Sequence, residues 1–141
     1  MKKLLISIMV SSLIACAFTG CFEKKKTAAA APVAEESVEI NTVSFDEGVA
    51  MAAANPGSII VDVRRDDEFA TGHLPGAINF ARENINEETA PAILPDKNQM
   101  IFVHCRSGGR SKMAAKTLIE LGYTNIIDMG GIMNYTGELE K

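Results

Sequence analysis

Apolar runs of strand length alternate along the chain with segments of helical periodicity. The runs are rich in Val and Ile, and in the other segments apolar residues recur every three or four positions. The pattern predicts strands over 38–40, 59–63, 77–81, 100–105 and 126–129. It predicts helices over 44–54, 66–71, 85–94 with a break at Pro91, 111–121, and a terminal helix after Gly130–Gly131. Such alternation is typical of an α/β domain, here with a parallel sheet of about five strands and helices on both faces.

Residues 100–121 combine a buried strand, a polar loop and a helix around a single thiol. Cys105 ends the apolar run, the loop is rich in Gly and Arg, and Ser111 is the predicted cap of the helix. The backbone N–H groups of residues 106–111 and the positive end of the helix dipole then face the space above Cys105. In parallel sheets, ligands bind beyond the carboxyl ends of the strands. The loop is therefore predicted to be an anion pocket with a nucleophile at its base.

Two arginines, Arg106 and Arg110, add fixed positive charge beside Cys105. Thiols near cations and helix N-termini ionise more readily than free thiols, so we expect the thiolate form to be favoured. The alternative is that Cys105 is a small buried apolar residue and that the glycines only form a tight turn. That alternative accounts less well for two Arg, two Gly and two Ser that follow one Cys.

His104 directly precedes Cys105 on the same predicted strand. Adjacent residues of a strand point to opposite faces of the sheet. We therefore expect the His104 ring to face away from the Cys105 sulfur and to pack in the interior with its nitrogens satisfied. A catalytic base has to lie within hydrogen-bond distance of the group it deprotonates, which argues against that role for His104.

The composition fits one acidic domain. The chain has 141 residues and a formal net charge of −4, and a domain of about 100 residues remains once a leader and a tether are set aside. The acidic balance argues against nucleic acid as a partner, and an enzyme that acts on anions then needs locally concentrated positive charge. The sequence has no Cys/His cluster of metal-ligand spacing and no nucleotide-type glycine-rich turn, so we expect neither a metal nor a cofactor.

Residues 1–20 have the pattern of a secretory signal peptide: two lysines, an apolar stretch, and small residues before a Cys. This pattern resembles a bacterial lipoprotein signal that is cut before Cys21 and lipidated there, with Cys16 as the alternative. An uncleaved signal anchor is also open, because residues 4–22 carry no charge. All three predict a membrane-anchored protein of the cell envelope, periplasmic or otherwise extracytoplasmic, and the first two predict a lipid anchor.

Residues 21–37 are predicted to be a tether and residues 38–141 a single domain, because charges, alanines and one proline alternate in the tether without an apolar face. Lipidation of Cys21 would leave Cys105 as the single free thiol of the mature protein. If Cys16 is lipidated instead, Cys21 stays on the tether and is a hypothetical disulfide partner for Cys105.

Two motifs resemble those of rhodanese-like domains. CRSGGR, residues 105–110, is similar to the active-site loop of single-domain rhodaneses, and VDVRRDDEFATGHLPGAIN, residues 61–79, is similar to the segment after their second strand. The similarity extends from about Ser44 to Gly131. It implies the rhodanese-like fold and sulfurtransferase activity. Sulfane sulfur would pass from thiosulfate or a similar small anionic donor, through a persulfide on Cys105, to a thiol or to cyanide.

The resemblance also implies roles for the residues around Cys105. Substrate and persulfide would be held by the loop, which consists of Arg106, Ser107, Gly108, Gly109, Arg110 and Ser111. Asp62 and Arg64 would support this loop. An ion pair under the loop, with Asp62 for example, is an equally open role for Arg110.

Two other functions remain open. The first is a carrier or binding module that receives persulfide from a partner protein in a sulfur relay and turns over little alone. The second is a Cys-loop phosphatase or arsenate reductase. Phosphatases that resemble the cell-cycle type have five residues between Cys and Arg, whereas residues 106–109 make four here. The smaller cradle matches one sulfur atom better than a phosphate group.

Overall fold

The structure, a computed structural model, describes residues 39–141. The predicted signal peptide, the tether at 21–37 and both candidate lipidation sites, Cys16 and Cys21, lie outside the described residues. The hypothetical disulfide between Cys21 and Cys105 therefore stays a prediction.

Five parallel strands form one sheet in the order β1-β5-β4-β2-β3. The strands are β1 Asn41–Thr42, β2 Ile59–Asp62, β3 Ile78–Asn79, β4 Ile101–Cys105 and β5 Ile126–Gly131. All five residues of the central strand β4 are buried. A parallel strand covered on both faces has a continuous apolar sequence, which is why β4 was recognisable. The predicted parallel sheet is confirmed.

Helices cover both faces of this sheet, as predicted. They are α1 Phe45–Ala54, α2 Asp66–Ala70, α3 Thr89–Ile93 and α4 Gly109–Glu120, with 3-10 turns at Arg82–Asn84 and Ile132–Asn134. One core cluster contains Cys105 of β4 together with Ala114 and Leu118 of α4. The cluster on the other face joins Phe102 of β4 to Phe45 of α1. Within residues 39–141, no helix is both long enough and apolar enough to cross a membrane.

The first strand lies later in the chain than predicted. It covers Asn41–Thr42, both exposed, instead of 38–40. Its position is set by backbone pairing with β5: Asn41 pairs with Ile127, and the Val43 N–H donates to the Asp128 carbonyl at 2.9 Å. Because an edge strand can be held by backbone hydrogen bonds alone, hydrophobicity was a poor guide to its bounds.

The predicted helix over 85–94 is wrong in length and in its break. The helix in this region is α3, and Pro91 lies in its first turn. A helix has no use there for the N–H that proline lacks, so Pro91 does not interrupt it.

The predicted terminal helix after β5 is also wrong. The chain makes the 3-10 turn at Ile132–Asn134 and then runs beside the connection between α2 and β3. His73 and Glu140 exchange two backbone hydrogen bonds, each of 2.9 Å. These groups are therefore paired across the structure and do not contribute to a helix.

The end of β5 lies directly against the loop that follows β4. A Cβ atom added to Gly131 would lie 2.6 Å from the Arg106 carbonyl oxygen and 2.7 Å from the Ser107 Cα. Just beyond β5, the Met133 N–H donates to the Arg106 carbonyl at 3.1 Å. The backbone of the loop can lie this close to the sheet because position 131 has no side chain.

We expect Gly131→Ala to lower the free energy of unfolding by about 1–3 kcal/mol, because the clashing atoms are backbone and cannot rotate away. Gly109→Ala is the matched control: an added Cβ there meets nothing within 4 Å, and its φ lies outside the left-handed region. The control should be as stable as the wild type or slightly more stable. Urea unfolding of both variants measures the difference, and equal stability would contradict the proposed contact.

Candidate active site

Cys105 is the last residue of the central strand, at the carboxyl edge of the sheet. Its exposed fraction is 0%. The Gly108 N–H donates to the Cys105 Sγ at 3.1 Å. A fixed N–H donor in a buried site stabilises negative charge on the atom it faces, because no solvent has to reorganise. The site therefore combines a nucleophile with a donor placed for its anionic form.

The loop closes through Gly108, which has a φ of 98° and caps the N-terminus of α4. Helix α4 therefore begins at Gly109, and the prediction that Ser111 caps it is wrong. Gly108 adopts a left-handed conformation that residues with a side chain avoid, so the chain turns before it reaches Ser111.

Ser111 is fully buried in the first turn of α4. Its hydroxyl lies within hydrogen-bond distance of two carbonyl oxygens, 3.0 Å from that of Gly108 and 3.2 Å from that of Gly130. Within the described residues, Ser111 makes no hydrogen bond to the Cys105 sulfur. Its hydroxyl connects the start of α4 to the end of β5.

Arg110 forms a two-point ion pair with Glu68 of α2. Its guanidinium donates to the two carboxylate oxygens at 2.5 and 2.8 Å. These hydrogen bonds are the main cause of a lowered pKa for Glu68, about 2, and they also raise the pKa of Arg110. The Asp62 partner suggested for Arg110 is therefore a wrong prediction. The pair links the first turns of α2 and α4 beside the loop.

The sequence analysis gave Glu68 no role. Its position contained a usable signal, since α2 and α4 both begin at the carboxyl ends of adjacent strands, β2 and β4. Acidic residues in the first turn of one helix then lie near a basic residue in the first turn of the other. The pairing itself depends on the angle between the helices, which the sequence does not show.

Asp62 and Arg64 form a buried ion pair at the end of β2, with exposed fractions of 0% and 6%. The Arg64 Nε donates to the Asp62 carboxylate at 2.9 and 3.0 Å, and its Nη2 donates to the Gly72 carbonyl at 2.8 Å. In the described part of the chain, none of their side-chain hydrogen bonds reaches residues 106–111. The two residues thus fasten the connection between α2 and β3, and the expected direct support of the Cys105 loop is not what they provide.

Arg106 and Ser107 are exposed at the mouth of the loop. Arg106 has no ion-pair partner among the described residues, whereas Arg110 and Arg64 are paired. Beside Arg106 lies a cavity of about 420 Å³, lined by Arg64, Asp67, Glu68, Thr71, Arg106, Ile132 and Met133. Among the arginines of the site, Arg106 is therefore the one with an uncompensated charge.

His104 packs on the face of the sheet opposite Cys105, as its place in the strand predicts. Its ring lies edge-on to Phe45 of α1, with centroids 5.3 Å apart. The expectation that its nitrogens are satisfied is wrong: within residues 39–141, both lack a hydrogen-bond partner, and Nε2 is 3.9 Å from Asp62 Oδ2. Burial is the main cause of a lowered pKa for His104. A neutral ring on the far face cannot reach the Cys105 sulfur as a base.

The arrangement supports nucleophilic chemistry on an anionic substrate. It provides a thiol, a backbone donor to its sulfur and one free guanidinium at the mouth. Within residues 39–141, no group of three or more His, Cys, Asp and Glu side chains is placed to hold a metal ion.

Glu68→Gln should lower the free energy of unfolding at neutral pH by about 1–2 kcal/mol, since the pair is partly exposed to solvent. A carboxyl group whose pKa is lower in the folded state stabilises the fold above its unfolded pKa and loses this effect as the pH falls. The wild-type advantage should therefore be complete above pH 4.5 and disappear as the pH approaches about 2.

Urea unfolding over this pH range measures the advantage. Glu120→Gln is the control, because Glu120 and Lys116 form an exposed pair at 3.8 Å that should contribute little. A wild-type advantage over Glu68→Gln that does not change with pH would contradict the assigned ion pair.

Comparison with known proteins gives a consistent family assignment. The family model of the rhodanese-like domain matches residues 45–138. Thiosulfate sulfurtransferase PspE of Escherichia coli (strain K12) is 38% identical over 72 residues, which are 51% of this chain and 68% of PspE. Protein YtwF of Bacillus subtilis (strain 168) is 33% identical over 103 residues, which are 73% of this chain and 94% of YtwF.

A solved structure of an E. coli rhodanese with anions superimposes with a TM-score of 0.55 and 31% identity, and the match covers 60% of this chain and 98% of that one. The adenylyltransferase and sulfurtransferase UBA4 of Meyerozyma guilliermondii is 27% identical over 112 residues, but the chain spans only 26% of that longer protein. The chain belongs to the family of rhodanese-like sulfurtransferases.

Proposed function

We propose that the protein transfers sulfane sulfur through a persulfide on Cys105, from thiosulfate or a similar anionic donor to a thiol or cyanide. The observation that carries the proposal is the position of Cys105 at the carboxyl end of the central strand, with the Gly108 N–H on its sulfur. The name of PspE, thiosulfate sulfurtransferase, supports thiosulfate as a donor.

The reaction is a double displacement with a covalent intermediate. The Cys105 thiolate attacks the outer sulfur of thiosulfate, a new S–S bond forms, and sulfite leaves with the electron pair of the old S–S bond. An acceptor thiolate or cyanide then attacks the outer sulfur of the persulfide, and Cys105 departs as thiolate. Both leaving groups are anions, as in thiol–disulfide exchange, so neither step needs a general base. This agrees with the position of His104 on the opposite face.

The three loop residues with distinct environments have distinct roles in this proposal. The Gly108 N–H stabilises the thiolate and the persulfide anion. Arg106, which is exposed and without an ion-pair partner in the described residues, attracts the donor. Arg110 positions the start of α4 through Glu68, and this pair reduces its charge toward the substrate.

The burial of Cys105 affects how the second step proceeds. With Sγ enclosed, an acceptor meets the outer sulfur of the persulfide, about 2 Å further out, instead of Sγ itself. Transfer to an acceptor is thus favoured only after the sulfur has been loaded.

The resemblance to UBA4 favours a second candidate, a carrier in a sulfur relay. In UBA4 the name joins a sulfurtransferase to an adenylyltransferase, and this chain matches 26% of that protein's length. By analogy, a partner protein would supply or remove the sulfur here. Sulfur transfer that requires an added protein fraction, with no turnover of thiosulfate and cyanide, would favour this candidate.

The leader supports a further part of the proposal, a lipid-anchored protein of the cell envelope. Cells grown with labelled palmitate should label the wild-type protein, Cys21→Ser should lose the label, and Cys16→Ser should keep it. The reverse result would assign the lipid to Cys16. Absence of label from all three proteins, with a full-length mass, would indicate an uncleaved anchor.

Thiosulfate should increase the mass of the purified protein by one sulfur atom, and cyanide should remove it. Intact-mass spectrometry of the wild type and of Cys105→Ser measures this, and the variant should gain nothing. The variant keeps the two other cysteines, so it controls for sulfur bound elsewhere. No mass gain with thiosulfate or other sulfane donors would refute the proposal and direct the next assays to phosphate and arsenate substrates.

A further inference from the structure

We propose that the cavity beside Arg106 is a second subsite, which binds the carboxylate of a small acceptor thiol with one negative charge. This inference rests on the proposed function and names its acceptor class. The acceptor is a short thiol acid, whose carboxylate lies between Arg64 and Arg106 while its sulfur faces the persulfide.

Arg64 is the built part of the site. It is 6% exposed, and its Nε and Nη2 are occupied by Asp62 and by the Gly72 carbonyl. Its third nitrogen, Nη1, has no hydrogen-bond partner among the described residues, yet it is not one of their enclosed unsatisfied atoms, which all belong to His104. Because Arg64 lines the cavity, this nitrogen is open to it. A buried guanidinium with one free N–H group is a ready partner for a carboxylate.

The charges around the cavity favour one negative charge on the ligand. The two acidic side chains of the wall are already paired: Glu68 with Arg110, and Asp67 with Arg65 at 3.8 Å. Arg64 is balanced by Asp62, which leaves the charge of Arg106 uncompensated. A dianion would meet the paired carboxylates at a cost, whereas a cation would meet two arginines.

The opposite wall is apolar. It consists of Ile132 and Met133, and the Met133 side chain region is open to solvent, with an exposed fraction of 61%. An apolar wall that faces a guanidinium suits a ligand with a short hydrocarbon body between its carboxylate and its thiol.

The cavity is adjacent to the reacting sulfur. Arg106 follows Cys105 in the chain, so their Cα atoms are about 3.8 Å apart. The Met133 N–H holds the Arg106 carbonyl at 3.1 Å, which keeps the apolar wall beside the loop. In the step itself, the acceptor thiolate attacks the outer persulfide sulfur, one S–S bond forms, the bond to Cys105 breaks, and Cys105 keeps the electron pair. No oxidant or reductant is needed.

The test uses full-length protein whose persulfide has first been verified by intact mass. Its discharge is followed with 3-mercaptopropionate and with 3-mercapto-1-propanol, compared at equal thiolate concentration. The acid should react about tenfold faster, the difference that one charge-assisted contact provides. Mercaptosuccinate, a dianion, should react no faster than the monoacid.

Met133→Glu places a carboxylate in the cavity wall and should remove most of the preference for the acid. Met113→Glu is the matched control, because Met113 is similarly exposed, at 52%, and does not line the cavity. It should retain the preference. The subsite is refuted if the two thiols react equally fast, or if both variants lose the preference to the same extent, since long-range charge would then explain it. A protein that never gains sulfur fails earlier, at the proposed function, so the two failures are distinguishable.

Discussion

The close contact between the loop after β4 and the end of β5 is the constraint on which the site depends. Cys105 ends a fully buried strand, and the chain has to reverse at once to enter α4. It does so over Gly131, where a side chain would overlap the backbone of Arg106 and Ser107. With the loop held there, the Gly108 N–H is fixed at the sulfur rather than free to face solvent. The nucleophile thus has its donor before any substrate arrives.

The positive charge near the sulfur is smaller than the number of arginines suggests. Arg64 and Arg110 each have a carboxylate partner, and these two pairs fasten the elements on either side of the mouth. Arg106 alone among the three has no ion-pair partner in the described residues. The distribution separates two tasks: paired arginines hold the framework, and the unpaired arginine is available to substrates. This separation is the basis for proposing a singly charged acceptor.

The polar interior beneath the site contains one unusual group. His104 is fully buried with two unsatisfied nitrogens, although its neighbour Asp62 is 3.9 Å away and bonded to Arg64. A buried group without a partner costs free energy of about 1–3 kcal/mol. The ring is therefore a local weakness next to the central strand, on the face that the reaction does not use.

The local sequence by itself determined the class of fold, the central strand, the position of the nucleophile and the start of α1. These features depend on short-range patterns: an apolar run of strand length, a glycine-rich turn, and Ser44, whose hydroxyl accepts from the Glu47 N–H at 3.3 Å. The motifs of residues 61–79 and 105–110 also placed the chain in its family, which the match over residues 45–138 shows.

Only the tertiary structure decided the partner of Arg110, the first residue of α4, the true extent of β1 and the environment of Arg64. Each of these depends on segments far apart in the chain, such as Glu68 and Arg110, or Asn41 and Ile127. Local patterns report which residues are buried and how they repeat, but they carry no information on the angles and distances between packed elements. Ion pairs and edge-strand pairing are set by those angles and distances, which is why they could not be predicted from the sequence.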